Sequence, residues 1–537
     1  MRRSLHWLAF AAPLLLALLL VVPESLARPG GGNTYRGSSS SKGSSSSRGS
    51  SSSSSSSRSY SSSSSRSYSS GSSYSGGSYT YSEGGSSSSG GFCCTLMMVM
   101  VIIGAVVVVQ RMQKKEGDWS TTVPQQPPGG NAERSGAVRE RLTRLRTVGP
   151  PGANGRPVPF DPDFSLVPFE DFLYALYAKA HEARGGGRLN TLAAYLSPQA
   201  REALGSLGQP ARVQAVVVGS MQYLSASSIW PNSTRVNVRI LFEANYTEQS
   251  SRGSEQSYYV AEEWTLSRGT AVKSRSPDQA RVFKCPNCGA PLDGMRGSTC
   301  SYCDQKVDTG EFDWVVESVQ PLEREARGPQ LGGDTPEEGT HLPTVKQPQV
   351  DERMRRLLTQ DPNLSWDALN QRLGLIFQEM QVAWSNRQWE RARPYVSDSL
   401  FQSQLYWMDA YKQAGLRNIT ENARITSVEL ARVVSDKYYH AITVRMYATG
   451  LDYTVRDSDG KQVSGSRSRE RQYSEYWTLI RGTSAKGRPS ADKRCPSCGA
   501  PLSINMAGNC THCSARVTSG DFDWVLSRIE QDESYQG

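Results

Sequence analysis

Two segments of this 537-residue chain carry the same apolar rhythm. In one, the apolar positions are Phe169, Phe172, Leu173, Leu176, Tyr177 and Ala180; in the other, Leu369, Leu373, Ile376, Phe377, Met380 and Trp384. Spacings of three and four set each group along one face of a helix, the face that must be buried. A second helical stretch follows each, after YLS at Tyr195 and YVS at Tyr395. Ser197 and Ser397 stand where a hydroxyl can accept from an orphan amide of the first turn. The rhythm then shortens to two. Val236, Val238, Ile240 and Phe242 alternate with Arg235, Asn237 and Arg239, and Ile442, Val444 and Met446 alternate with Thr443 and Arg445. A period of two is a strand with one wet face. Helices followed by consecutive strands predict an α+β fold on an antiparallel sheet, twice over.

The duplication runs through polar positions as well. DPDFS at Asp161 matches DPNLS at Asp361, EEWTLSRG from Glu262 matches EYWTLIRG from Glu475, and GEFDWVVESV from Gly310 matches GDFDWVLSRI from Gly520. The offset drifts, as loop insertions require. Two domains are expected, at 161–322 and 351–532, each of ordinary single-domain size, joined by a Gly-, Pro- and Glu-rich linker at 323–350.

The N-terminal quarter follows other rules. Residues 1–27 read as a secretory signal, cleaved or else kept as an uncleaved anchor: Arg2 and Arg3, then LAFAAPLLLALLLVV, then the small residues SLA, which favour cleavage. Residues 28–91 are dominated by Ser and cannot bury enough apolar surface to fold, so a disordered, low-complexity extracytoplasmic segment is expected. Residues 92–109, FCCTLMMVMVIIGAVVVV, carry no charge, and as a helix span about 27 Å, the thickness of a hydrocarbon core. Arg111, Lys114 and Lys115 follow this run, whereas Ser67 to Gly91 holds no Lys or Arg. The positive side stays in the cytoplasm. A single-pass protein of the cell (inner) membrane is expected, with the Ser-rich segment outside and the C-terminal domains cytoplasmic. Residues 110–160 form a basic, Pro/Gly-rich linker around ERSGAVRERLTRLRTV, with Arg134, Arg139, Arg141, Arg144 and Arg146 against one apolar face of Val138, Leu142 and Leu145. Such a stretch lies on anionic lipid headgroups or serves as an exposed helical linker.

Composition adds one decisive feature. The net charge of +9 is a mild, dispersed excess and no argument for nucleic acid. Eight of the ten cysteines stand in CxxC pairs: Cys285, Cys288, Cys300 and Cys303 within 285–303, and Cys495, Cys498, Cys510 and Cys513 within 495–513. Four thiolates suit tetrahedral Zn²⁺, and four protein ligands close the coordination sphere, so two structural, non-catalytic zinc sites are expected. His512 lies inside a CxxC pair, but its counterpart is Tyr302, so it is read as a bystander. A redox CxxC would not need four cysteines. From Arg281 to Trp314 there are four basic and five acidic residues, and from Ala491 to Trp524 three of each. That balance is no phosphate footprint, and no nucleic-acid partner is expected.

The E-x-W-T-L-x-R-G strand followed by D-W-V-x-x-(V/I) resembles the Tim44-like domain, the C-terminal domain of the mitochondrial inner-membrane import translocase tether and its bacterial relatives. The residues that carry the resemblance are Glu262, Trp264, Arg268 and Trp314, then Glu475, Trp477, Arg481 and Trp524. The resemblance implies two tandem cone-shaped domains of the nuclear transport factor 2 kind, with curved antiparallel sheets in which the two Trp strands are neighbours. One departure is the zinc ribbon between those strands, expected as an insertion in the strand-to-strand connection. The resemblance also implies binding of a polypeptide or membrane lipid near a translocation machinery; with the apolar run as anchor, and with no nucleophile–base pair, phosphate loop or His cluster in the sequence, a non-enzymatic membrane-anchored scaffold is expected. One alternative is an enzyme using the cup, for which Glu262 and Glu475 are the candidate acids; structural pairing with Arg268 and Arg481 is the competing expectation for both. The other alternative is a zinc-ribbon nucleic-acid-binding membrane protein.

Overall fold

In a computed structural model, residues 134–537 are described, apart from 329–330, 332–336, 338, 487–488, 490–492 and 533. The expected signal (1–27), Ser-rich segment (28–91), transmembrane run (92–109) and residues 110–133 of the basic linker lie outside the described residues. Among the described residues no helix is long and apolar enough to cross a membrane. The described residues all belong to one compact unit.

The first repeat contains helices α1 (Ser135–Thr143), α2 (Leu166–Arg184) and α3 (Pro198–Ser206), then strands β1 (Arg212–Ser227), β2 (Arg235–Gln249) and β3 (Glu255–Gly269). After β3 come the short strands β4 (Met295–Arg296) and β5 (Thr299–Cys300), then β6 (Val315–Glu325). The second repeat has α4 (Val350–Gln360), α5 (Trp366–Ser385), α6 (Asp398–Gln413), β7 (Leu416–Ser435), β8 (Tyr439–Arg456), β9 (Gln462–Gly482) and β10 (Val525–Gln531). The sheets are ordered β1-β2-β3-β6 and β7-β8-β9-β10, antiparallel throughout. In each, the first strand departs from regular register three times. Extra residues on one strand bend it and increase its twist, which is how these sheets curve.

The amphipathic reading of α2 and α5 holds in the packing. Leu173, Leu176 and Tyr177 are buried on β-strand residues Phe242 and Trp264, and Leu373, Ile376 and Phe377 are buried in the second core with Trp477. The caps form as well: the Ser197 hydroxyl accepts from the Ala200 amide at 3.0 Å, and the Ser397 hydroxyl from the Leu400 amide at 3.4 Å. Next to each cap the chain is stitched to the sheet. The Ser197 amide donates to the Val316 carbonyl at 2.9 Å, and the Ser397 amide to the Leu526 carbonyl at 2.8 Å. The YLS/YVS element and the strand after D-W are therefore partners in one short parallel bridge, Leu196 with Val316 and Val396 with Leu526.

Two elements differ from expectation. The arginine-rich stretch is helix α1, and it is not an exposed linker. Val138, Leu142 and Leu145 are fully buried in the first core. Its charged face is satisfied by protein: Arg139 Nε lies 3.3 Å from Glu170, and Glu140 accepts from Arg353 at 2.9 Å. Arg134 and Arg144 remain exposed. Helix α4 was not anticipated at all; Val350, Met354 and Leu357 bury one side of it in the second core.

Candidate metal centres

Each four-cysteine segment leaves the sheet after β3 or β9 and returns at β6 or β10, which are paired neighbours. It is an excursion from a strand-to-strand connection, as expected. Within it each CxxC forms a tight knuckle. The Cys285 amide donates to Ala290 O at 2.8 Å and the Gly289 amide to Cys285 O at 2.8 Å; Cys495, Ala500 and Gly499 repeat this at 2.7 and 2.9 Å. Gly289 and Gly499 take φ of +75° and +73°, a left-handed turn that costs glycine nothing. The second knuckles have no glycine there: Asp304 and Ser514 occupy φ of +53° and +60°.

The knuckles bring all four sulfurs of each set within 4.8 Å of one another. Cys285 Sγ and Cys303 Sγ are 3.9 Å apart, as are Cys288 with Cys300 and Cys495 with Cys513. Thiolates at about 2.3 Å from a shared tetrahedral centre would lie about 3.8 Å from one another. A disulfide needs about 2.05 Å, and all eight are free thiols. The donor set therefore fits a metal ion. His512 is exposed and contributes only its backbone amide, 3.4 Å from Cys510 Sγ; it is not among the clustered ligand atoms.

As free thiols the four are unequal. Burial pushes Cys285 up to about 12. Cys303 is drawn down to about 7 by the Asn287 side-chain amide and the Gln305 backbone amide. Cys513 falls to about 7 through the Ala515 amide. Cys303 and Cys513 are thus ready as thiolates near neutrality, whereas a metal must displace the proton of Cys285.

The motif acids are built into the core. Trp264 Nε1 donates to Glu262 Oε2 at 2.9 Å, and Trp477 Nε1 to Glu475 Oε2 at 2.9 Å. Residues two apart on a strand share a face, which explains the E-x-W spacing. Neither acid pairs with the expected arginine. Glu262 meets His181 Nε2 at 3.2 Å, both groups being buried. Burial would raise the Glu262 carboxyl, but His181, Trp264 and Arg184 together hold it below the usual carboxylate range. Glu475 accepts instead from Gln531 Nε2 at 3.3 Å. The arginines take a different carboxylate, the Asp of the DP motif. Arg268 donates to Asp161 at 2.7 Å, and Arg481 donates to Asp361. Each guanidinium also lies over the ring of its D-W tryptophan, Arg268 on Trp314 at 4.8 Å and Arg481 on Trp524 at 4.9 Å. Three motifs far apart in sequence close into one buried unit, and sequence spacing alone could not select between the two acids. The space under the first sheet is filled by Tyr177, Phe242, Tyr246 and Trp264, with ring centroids 4.7 Å apart for Tyr177–Phe242 and 5.1 Å for Tyr177–Trp264. A cavity of about 650 Å³ lies instead between the repeats, walled by α2, β1 and α6, with Ala178, Val216, Leu405 and Tyr406 among its apolar residues.

Residues 350–489 match the family model of the Tim44-like domain. This part of the second repeat is similar to the Tim44-like domain. The match begins with α4 and stops just before Cys495, so the four-cysteine segment is an addition to the Tim44-like part. The first repeat has the same sheet order and the same Glu–Trp and Arg–Asp pairs. No curated protein matches the chain. A solved structure described as "Ntf2 like protein involved in plasmid conjugation" is similar at 7% identity, covering 67% of this chain and 92% of that one, with a TM-score of 0.15. A score that low carries no structural argument. A Tim44-like domain points to a scaffold or binding role linked to translocation.

Proposed function

We propose that this protein is a membrane-anchored scaffold whose two repeats, each a cone-shaped fold of the nuclear transport factor 2 kind, hold a polypeptide or lipid partner on the cytoplasmic face of the membrane. The observation that carries this reading is the Tim44-like match over 350–489. The cavity between the repeats supports it: about 650 Å³ is the size of an ordinary ligand site, and its walls mix apolar and polar side chains. The anchor is the charge-free run 92–109 with Arg111, Lys114 and Lys115 behind it. Each ribbon holds one structural Zn²⁺ on its four cysteines, since soft thiolates at tetrahedral spacing select that ion. Glu262 and Glu475 support no acid/base role, because each is sealed beneath its own tryptophan.

A photo-crosslinking amino acid at Leu405 in intact membranes tests this reading. A polypeptide or lipid adduct absent from a control at exposed Val382 is expected. Equal labelling at both positions refutes a partner in the cleft. Metal analysis of the purified chain is expected to give two zinc ions, and both are lost in Cys285→Ser/Cys495→Ser. Protease added outside whole cells is expected to spare both repeats.

A further inference from the structure

Asp398, the first residue of α6, is where the repeats and the second ribbon meet. Its Oδ2 accepts from Arg281 at 2.7 Å and from Arg516 at 2.5 Å. Its Oδ1 accepts from Arg393 and, at 3.4 Å, from the Thr518 hydroxyl. These donors come from three places. Arg281 belongs to the first repeat, four residues ahead of Cys285. Arg516 and Thr518 follow Cys513 in the second ribbon. Arg393 precedes α6 and also donates from Nε to the Met506 carbonyl at 3.1 Å, inside the second ribbon. The ribbon approaches with no clearance: a Cβ on Gly508 would lie 2.1 Å from Thr518 Oγ1 and 2.8 Å from Arg393 Nη2. Three guanidiniums share one carboxylate, so they repel one another unless Asp398 sits among them.

The second ribbon has little else to hold its shape. Its own core is Cys495, Cys510 and Val517 with Leu502 and Ile504, and two of those five are thiol residues. A core that small does not fold without a staple, here the metal. The Asp398 junction also borders the cleft, since Arg281, Ser399 and Leu400 line it. The rest of the repeat–repeat face is largely ionic, including Arg528–Glu170 at 2.5 Å and Lys437–Asp163 at 2.8 Å, around one apolar contact of Val167 with Tyr439, Ile480 and Val525. Lys437–Asp163 is exposed, weak and screened by salt, whereas Arg528–Glu170 is largely buried and holds only while its partners stay in place.

We infer that the metal in the second ribbon sets the docking of the two repeats, and so the shape of the cleft between them, through Asp398. With metal bound, Arg516, Thr518 and the Met506 carbonyl hold Asp398 and Arg393 in line with Arg281. Without it, the junction loses its ribbon side, Asp398 and Arg393 lose the contacts that fix them opposite Arg281, and the repeats part along their ionic face while each sheet stays folded. This inference rests on the four-thiolate reading and on the cleft as the partner site.

Hydroxyl-radical footprinting of the full chain in detergent micelles, with metal content measured on the same samples, tests it. Tyr174 and Tyr439 report the repeat–repeat face, and Trp264 and Trp477 report the two cores. Chelated protein and Cys510→Ser/Cys513→Ser are expected to oxidise at Tyr174 and Tyr439 at least severalfold faster, with both tryptophans unchanged. Arg281→Gln, which touches neither ribbon ligand nor core, is expected to do the same with its metal still bound. An unchanged footprint in metal-free protein overturns the inference and leaves the zinc sites standing. Tryptophan oxidation rising in parallel overturns it too, because the metal then supports the whole repeat. So does Arg281→Gln behaving as wild type. Purified protein without metal overturns both the inference and the zinc sites.

Discussion

Replacing Asp161 by alanine removes the carboxylate on which the first repeat closes its motif unit. Asp161 Oδ2 accepts from Arg268 at 2.7 Å, from the Ser274 hydroxyl at 2.6 Å and from the Ser274 amide at 3.0 Å. Both charged side chains are almost completely buried. After the change Arg268 keeps the Ser274 hydroxyl, at 3.2 Å, the Trp314 face, at 4.8 Å, and the influence of the Asp313 carboxylate. Breaking a buried pair from one side costs about 3–5 kcal/mol, since a charge is left in a medium that cannot solvate it. The amide of Ser274 adds about 1 kcal/mol where water does not reach it. A loss of about 4–6 kcal/mol is therefore expected for the first repeat. Because two repeats with separate cores need not unfold together, the assay is urea unfolding followed at both tryptophan fluorescence and far-UV circular dichroism, fitted as two transitions. The first-repeat transition is expected to shift and the second to stay. Asp161→Asn with Arg268→Met removes both charges at similar volume and is expected to recover most of the loss. A shift worth under 1 kcal/mol for Asp161→Ala, or a double variant as unstable as the single one, refutes the buried-pair account.

Asp171, on α2 at the repeat–repeat face, is raised to about 6 by burial, with Arg281 pulling it down and Asp398 pushing it up. The docked form thus binds the proton more tightly than the unfolded chain, so this group's favourable contribution is complete below about pH 4 and is lost as pH rises through 6. Asp171→Asn is expected to stabilise the protein by about 1–2 kcal/mol at pH 7.5 and to leave it nearly unchanged at pH 4, as read from urea midpoints at the two pH values. Metal retention against a competing chelator is expected to fall as pH drops below 7, because Cys303 and Cys513, the thiols near 7, then take up protons; retention independent of pH between 5.5 and 8 refutes thiolate ligation. Leu142→Ala on α1 is expected to cost about 2–5 kcal/mol, since the side chain is fully buried in the first core. A loss under 0.5 kcal/mol returns α1 to the status of a linker.

Local order was legible wherever one residue type does one job at a fixed spacing. The helix faces through Leu173 and Leu373, the serine caps at 197 and 397, the strand alternation and the cysteine knuckles all depend on neighbours within one turn or one pleat. The two four-thiolate groups followed from spacing because a CxxC knuckle brings its own pair of ligands together. The role of Glu262 did not follow. A strand places Glu262 beside Trp264, but which partner reaches it from another element depends on the packing of α2, and that brought His181. The same uncertainty sent Arg268 to Asp161, 107 residues away. Helix α1 was seen as a helix with the right apolar face, yet its environment was misread, because amphipathicity says that a face is buried and not against what.

By itself the sequence determined the duplication, the α+β order of each repeat and the eight cysteines that cluster as two sets of four, because these are properties of periods and spacings. The tertiary structure decided what fills the cups, which carboxylate each buried arginine takes, and that α1, Arg281 and the second ribbon converge on the face between the repeats. Those are choices among partners of similar chemistry, and only the packing of distant segments against one another makes one partner near and the others far.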